Sequence, residues 1–232
     1  MYLKYIPVLK YCQKERTITA ILEAVILFFV LFFPGIAQIS ALPEMIPFSA
    51  AAEINRLVLR TIPAFALVWY LFIRGPEKKE RLALLKPSLK DVKPLFTSLL
   101  GLLALAFAVG VLSNLLPLHP AALRFESPRG FLPWAAAILS CLATGYLEES
   151  YFRAYLLRRL EEGGISVKRA GLISALLFSL CHLYEGPWGF MNALGAGFFL
   201  ALMFIKTGSL TGLAWAHGLY NLSVYALNQA IK

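Results

Sequence analysis

Apolar residues in this chain come in long runs, not in the single stripe of a soluble helix or the alternation of a half-buried strand. A helix crosses a bilayer with about 17–25 mainly apolar residues. Runs near that length fall at 17–39, 57–73, 95–117, 133–157, 170–184, 188–205 and 209–228. Breakers lie between them: Pro43 and Pro47, Gly75–Pro76, Pro117 and Pro120, Gly163–Gly164, Gly186–Pro187, and Gly208. The pattern predicts an all-α, polytopic membrane bundle of about seven transmembrane helices, with eight as the alternative. The short fifth run leaves open a tight helical hairpin made with the sixth. No internal repeat is visible.

Composition supports that fold class. Hydrophobic residues make up 59% of the 232, charged residues only 15%, and mean hydropathy is +0.69. So much apolar surface does not fit inside one aqueous core of this size. Disorder, a collagen-like chain and an ordinary soluble enzyme are excluded. The net charge of +9 raises nucleic-acid binding, but no basic stripe interleaved with aromatics accompanies it. Positive charge on cytoplasmic loops is the simpler source. With the N-terminus inside, 16 Lys and Arg fall in inner segments and 4 in outer ones, while Arg60 and Arg153 lie within spans. The expectation is a multi-pass cell-membrane protein, N-terminus cytoplasmic and C-terminus outside. Segments 1–16 and 77–93 mix basic with apolar residues and are expected to lie along the inner interface. Trp134, Tyr184 and Trp188 are expected in an outer aromatic belt.

Ionisable groups inside a span are costly and mark function by default. Glu23 stands alone in the first run and receives no role; Arg60 is expected to snorkel. His119, beside Pro120 in a loop, receives none either. The fourth run ends Gly-Tyr-Leu-Glu-Glu-Ser-Tyr-Phe-Arg. Glu149 and Arg153 share a helix face at i,i+4 and predict an ion pair. Glu148 points about 100° away and is left free for chemistry. The fifth run carries Phe178 and His182, and the seventh His217 and Asn221 at i,i+4. Counted from the inner ends, Glu148, His182 and His217 all reach roughly 12–18 Å into the membrane. That shared depth predicts one site.

A carboxylate and a neutral imidazole can activate a water, and a second imidazole with an amide can stabilise an oxyanion. Glu148 with His182 suits the first task, and His217 with Asn221 the second. Cys12, Cys141 and Cys181 form no CxxC pair. Cys181 adjoins His182, but neighbours on a helix diverge too far for a nucleophile–base pair. Gly195 and Gly197 are expected to allow close helix packing.

The three motifs, Glu148-Glu149-x-x-x-Arg153, Phe178-x-x-x-His182 and His217-x-x-x-Asn221, resemble the CAAX protease and bacteriocin-processing family, which includes the Ras-converting CAAX endopeptidase. The resemblance covers roughly 133–227. It implies a glutamate-type intramembrane protease with catalytic Glu148, His182, His217 and Asn221, supported by Glu149, Arg153 and Phe178. It also divides the chain into an accessory part (1–130, an interfacial segment and three spans) and a four-helix catalytic core (131–232). It implies a membrane-embedded or lipidated peptide substrate in a cavity opening to the cytosol and lipid, with no nucleic acid. No cofactor is expected; two histidines and two carboxylates could hold zinc, but no HExxH is present. The alternative is a membrane binding or immunity protein that keeps the polar cluster without cleaving anything. A proton-coupled transporter is disfavoured, because no inverted repeats are visible.

Overall fold

The computed structural model describes residues 6–37, 45–74, 77–116 and 124–230. The expected breakers Pro43, Pro117, Pro120 and Gly75–Pro76, and His119, lie outside them. Helix α1 is Ile6–Ala37, α2 is Ala50–Ile73, α3 is Lys78–Ala83, and α4 is Val92–Leu115 after a 3-10 turn at Leu89–Asp91. Helix α5 is Phe131–Glu162, α6 is Val167–Leu180, α7 is Gly186–Thr207 after a 3-10 turn at Leu183–Glu185, and α8 is Leu210–Ala230. A two-residue parallel pair joins β1, Met45–Ile46, to β2, Arg124–Phe125. The described residues are all-α apart from that pair.

Each of the seven apolar runs falls on a helix, but the boundaries differ. Among the described residues, four helices are long and apolar enough to cross a membrane: Ala50–Ile73, Leu89–Leu115, Phe131–Glu162 and Leu183–Thr207. That is fewer than the seven or eight expected, and the residues explain the shortfall. Helix α6 has 14 residues, about 21 Å, and the hydrocarbon is about 30 Å thick. In α8 the polar side chains of His217 and Asn221 dilute the apolar average. In α1 the apolar described stretch is Ile18–Phe33. Helix α2 starts seven residues before the expected position 57, capped by Ser49, whose Oγ accepts from the Ala52 amide. Helix α1 runs unbroken from Ile6, so no boundary separates an interfacial segment at 16 from the first span.

Helices α5 and α8 cross at two facing glycines. A Cβ on Gly145 would lie 2.6 Å from the Ala214 carbonyl oxygen, and one on Gly218 2.8 Å from Leu142 Cα. Small residues allow this backbone approach, which sets Glu148 and Glu149 beside His217. Helix α6 packs antiparallel on α7 as the hairpin alternative foresaw, and Gly197 lets α7 come close to Ala175 and Phe178. Gly195 likewise leaves room for Leu105.

Between Ser150 and Tyr155, α5 widens into a π turn, and all six of its residues are buried. Neighbours take its polar groups from every side. Ser174 Oγ donates to the Phe152 carbonyl at 2.7 Å, Trp69 Nε1 to Ser150 Oγ at 3.0 Å, and Tyr151 Oη to the Ala24 carbonyl at 2.7 Å. Phe28 and Phe32 of α1 and Trp69 of α2 share one core with Tyr151, Phe152 and Tyr155.

Residues expected to be solitary or interfacial are tied in. Glu23 accepts from Tyr155 Oη at 2.6 Å and pairs with Arg159 at 2.9 Å. Arg60 donates to the Leu31 carbonyl at 3.1 Å. Arg81, in the segment expected to lie on lipid, is buried; it donates to the Phe72 carbonyl at 2.6 Å and pairs with Glu162 at 2.9 Å. Trp188 is buried as well and does not stand in an outer belt.

Candidate active site

Six helices deliver the site. Helix α5 supplies Glu148 and Glu149 ahead of the π turn, α8 supplies His217 and Asn221, and the end of α6 supplies Phe178. Helices α2, α4 and α7 complete the wall of a cavity of about 410 Å³. Glu148, Phe178, His182, His217 and Asn221 all line it. Because α6 stops at Leu180, His182 sits on the turn beyond it and not within a span. Non-helical backbone at membrane depth is tolerated where it lines a cavity.

Beneath the cavity, Glu149 and Arg153 form the expected ion pair, Arg153 Nε to Glu149 Oε2 at 3.1 Å, with both side chains fully buried. The pair has a third member that spacing did not suggest. His217 Nδ1 lies 2.8 Å from Glu149 Oε1, and its Nε2 lies 3.5 Å from Glu148 Oε2. A carboxylate held by a guanidinium only accepts, so His217 carries a proton on Nδ1 and turns Nε2 to Glu148. Glu148 Oε2 is buried with no hydrogen-bond partner in the protein.

His182 is fixed the same way by a different acceptor. Its Nδ1 lies 2.9 Å from the Phe178 carbonyl, which only accepts, so this ring too carries its proton on Nδ1. Nε2 is left as an acceptor, with Glu185 Oε1 4.0 Å away. The spacing of Phe178 and His182 is therefore a backbone bond at i,i+4. The Phe178 ring adds to it: its centroid is 4.6 Å from that of His182, 5.7 Å from that of His217, and 4.9 Å from the Arg153 guanidinium carbon. Cys181 Sγ faces the Leu177 carbonyl at 3.3 Å, away from His182. Among the described residues, no three His, Cys, Asp or Glu side chains form a group that could hold a metal.

Sequence reading missed several lining residues. Glu53 and Arg56 form an ion pair at the start of α2, and Ser140 Oγ donates to Glu53 at 2.5 Å. Both precede the apolar run that defined the second span, although their i,i+3 spacing was there to read. Asn192 donates to Tyr220 Oη at 2.8 Å from inside the sixth run, where an amide alone was a signal.

The cavity extends from Glu148 along α5 through Thr144 to Ser140, toward the Phe131 end. The basic segments 78–93 and 158–169 stand at the other end of the bundle.

Residues 130–223, which hold all three motifs, match the family described as Type II CAAX prenyl endopeptidase Rce1-like. No curated protein and no solved structure matches the chain. The matched segment spans α5 to most of α8, the helices that carry Glu148, His182, His217 and Asn221. With its apolar helices, the protein is a membrane protein, and its segment 130–223 is similar to the CAAX prenyl endopeptidase family.

Proposed function

We propose that the chain is an intramembrane endopeptidase that hydrolyses a peptide bond of a membrane-associated or lipid-modified peptide or protein, with neither a covalent intermediate nor a metal. The observation that carries this reading is His217, held at Nδ1 by Glu149 and turned at Nε2 toward Glu148, in a cavity that His182 and Asn221 also reach.

Charge balance assigns the protonation states. Glu149, Arg153 and His217 are buried, with Glu148 beside them on the cavity wall, and an unpaired buried charge costs several kcal/mol. Two carboxylates and one guanidinium leave one negative charge over, and an imidazolium at His217 cancels it.

Glu148 then takes a proton from a water that also donates to His182 Nε2. The resulting hydroxide attacks the carbonyl carbon. His217 Nε2–H and the Asn221 amide donate to the oxygen that gains charge. Glu148 returns the proton to the leaving nitrogen, the C–N bond breaks, and a carboxylic acid and an amine are released. Arg153 and Glu149 touch no substrate in this scheme; they position His217.

The test compares membrane-protein termini by mass spectrometry in cells expressing the wild type or Glu148→Gln at matched levels. New termini with the wild type alone are expected, with processing reduced by about 10²–10⁴ in the variant. A wild-type phenotype that persists in Glu148→Gln and His182→Ala, with identical termini, would establish the binding or immunity role instead.

A further inference from the structure

We infer that Glu185 is a positioning residue of the reaction and acts through His182: its carboxylate stabilises the positive charge that His182 takes on when it receives the second proton of the attacking water. The inference rests on the proteolytic reading of the cavity, and it concerns a residue outside all three motifs.

Local backbone brings the two side chains together. The chain leaves α6 at Cys181 and makes one 3-10 turn, Leu183–Glu185, before α7 begins. The Glu185 amide donates to the His182 carbonyl at 3.0 Å and closes that turn. In 3-10 geometry the side chains at i and i+3 stand one over the other. His182 Nε2 accordingly lies 4.0 Å from Glu185 Oε1, and both residues line the cavity. The Tyr184 ring stacks beside the imidazole, with centroids 6.3 Å apart.

Glu185 does not perform the task its position suggests. It immediately precedes α7, where a polar side chain ordinarily accepts from the first-turn amides, yet it makes no such bond. Its side chain lies instead over Gly189, where a Cβ would overlap Glu185 Cβ and stand 2.9 Å from Oε2. Among the described residues its one ion-pair contact is His182, since Arg56, the cation on the same cavity wall, is taken by Glu53. The Tyr184 hydroxyl lies beside the same carboxylate. The two imidazoles of the cavity thus share one arrangement. Each has Nδ1 on a fixed acceptor and Nε2 facing a glutamate, Glu148 at 3.5 Å for His217 and Glu185 at 4.0 Å for His182.

Hydrolysis moves two protons, and Glu148 handles one of them. The water keeps the other on the bond it donates to His182 Nε2. Once the C–N bond has broken, that O–H belongs to the new carboxylic acid. The O–H bond then breaks, its proton passes to Nε2, and the electron pair stays on oxygen, so the product becomes a carboxylate. The imidazolium gives the proton to the released amine, which leaves as an ammonium, and His182 is restored. Glu185 faces the imidazolium in a partly buried cavity, where charges interact more strongly than in open water.

The competing role is a negative charge at the start of α7, which steadies the helix without entering the chemistry. The experiment uses the purified full-length protein in nanodiscs, with a synthetic peptide spanning one of the termini that depend on Glu148. Glu185→Gln keeps the shape and removes the charge; kcat is expected to fall about tenfold or more, with Km within about twofold and the melting temperature unchanged. Glu185→Asp keeps the charge one methylene farther away and is expected to restore kcat to within about threefold of the wild type. Wild-type kcat in Glu185→Gln, with or without a lower melting temperature, overturns the inference. An Asp variant as slow as the Gln variant overturns it as well, because charge is then not what His182 uses. Termini that do not depend on Glu148 remove the proteolytic reading itself and the role of Glu185 with it, whereas termini that need Glu148 and not Glu185 remove only the latter.

Discussion

Two Glu–Arg pairs contact α5 about two turns apart, and they differ in nearly everything except chemistry. Glu149–Arg153 is 0% exposed on both sides, under the Phe178 ring and against Phe152. Glu53–Arg56 sits on the cavity wall with the Arg56 side chain 48% exposed. The first pair has no water to fall back on, so each charge depends on the other and on His217. The second has solvent for a third partner. Burial, not the identity of the residues, makes one pair architecture and leaves the other free to respond to what enters the cavity.

The sharpest way to break this comparison is to remove Arg153. Arg153→Leu leaves Glu149 buried against His217 without its guanidinium, at a cost of about 3–5 kcal/mol. Thermal unfolding in detergent should show a large drop, with poor accumulation in cells. The double variant Glu149→Gln/Arg153→Met removes both charges and should recover part of that stability while staying inactive, because the carboxylate that faces His217 Nδ1 is gone. If the double variant unfolds as readily as the single one, the pair is held by shape and not by charge.

A second contrast concerns glycines on the same two sides of the site. Gly218 meets α5 backbone, where a Cβ would come within 2.8 Å of Leu142 Cα and 3.0 Å of the Cys141 carbonyl oxygen. Gly218→Ala has to push α8 from α5 and is expected to cost about 1–3 kcal/mol. The Glu149–His217 bond lengthens with it, so proteolysis falls further than stability does. Gly110→Ala, on the open wall, should be neutral or slightly stabilising, since alanine favours a helix. Melting temperatures for the two variants, measured together, decide this.

The buried layer and the open wall also differ in how far sequence revealed them. Glu149 with Arg153 could be read from spacing, because i,i+4 on a helix fixes the distance before any tertiary structure exists. Glu148, His182 and His217 could be read as one group from depth, because a bilayer gives every span the same ruler, and Asn221 joined them by its i,i+4 spacing from His217. The bond from His217 to Glu149 could not: it depends on how closely α5 and α8 approach, and that is set by Gly145 and Gly218, residues with no chemistry of their own. The turn carrying His182 was hidden for a related reason. Apolar residues continue through Leu180 and Cys181, so hydropathy ran the helix to 184, while the backbone leaves it at Cys181. Glu53 and Arg56 escaped because a span search starts where polar residues end, and the wall of a membrane cavity is where they begin again.

The smallest effect is expected at Arg56, and it is the most informative about the rule. Its pair with Glu53 is partly hydrated, so Arg56→Gln should shift stability by about 0–1 kcal/mol, within reach of careful thermal unfolding in matched detergent. Ser140 keeps its hydroxyl on Glu53, which limits the disturbance to α2. If Arg56→Gln instead lowers stability as much as Arg153→Leu, then the open wall is as dependent on its charges as the sealed floor, and exposure does not separate the two pairs. If stability holds while the Km for a peptide substrate rises at unchanged kcat, the guanidinium binds substrate without taking part in the chemistry. The two Glu–Arg pairs would then divide the labour of the cavity: one holds His217 in place, and the other meets the incoming chain.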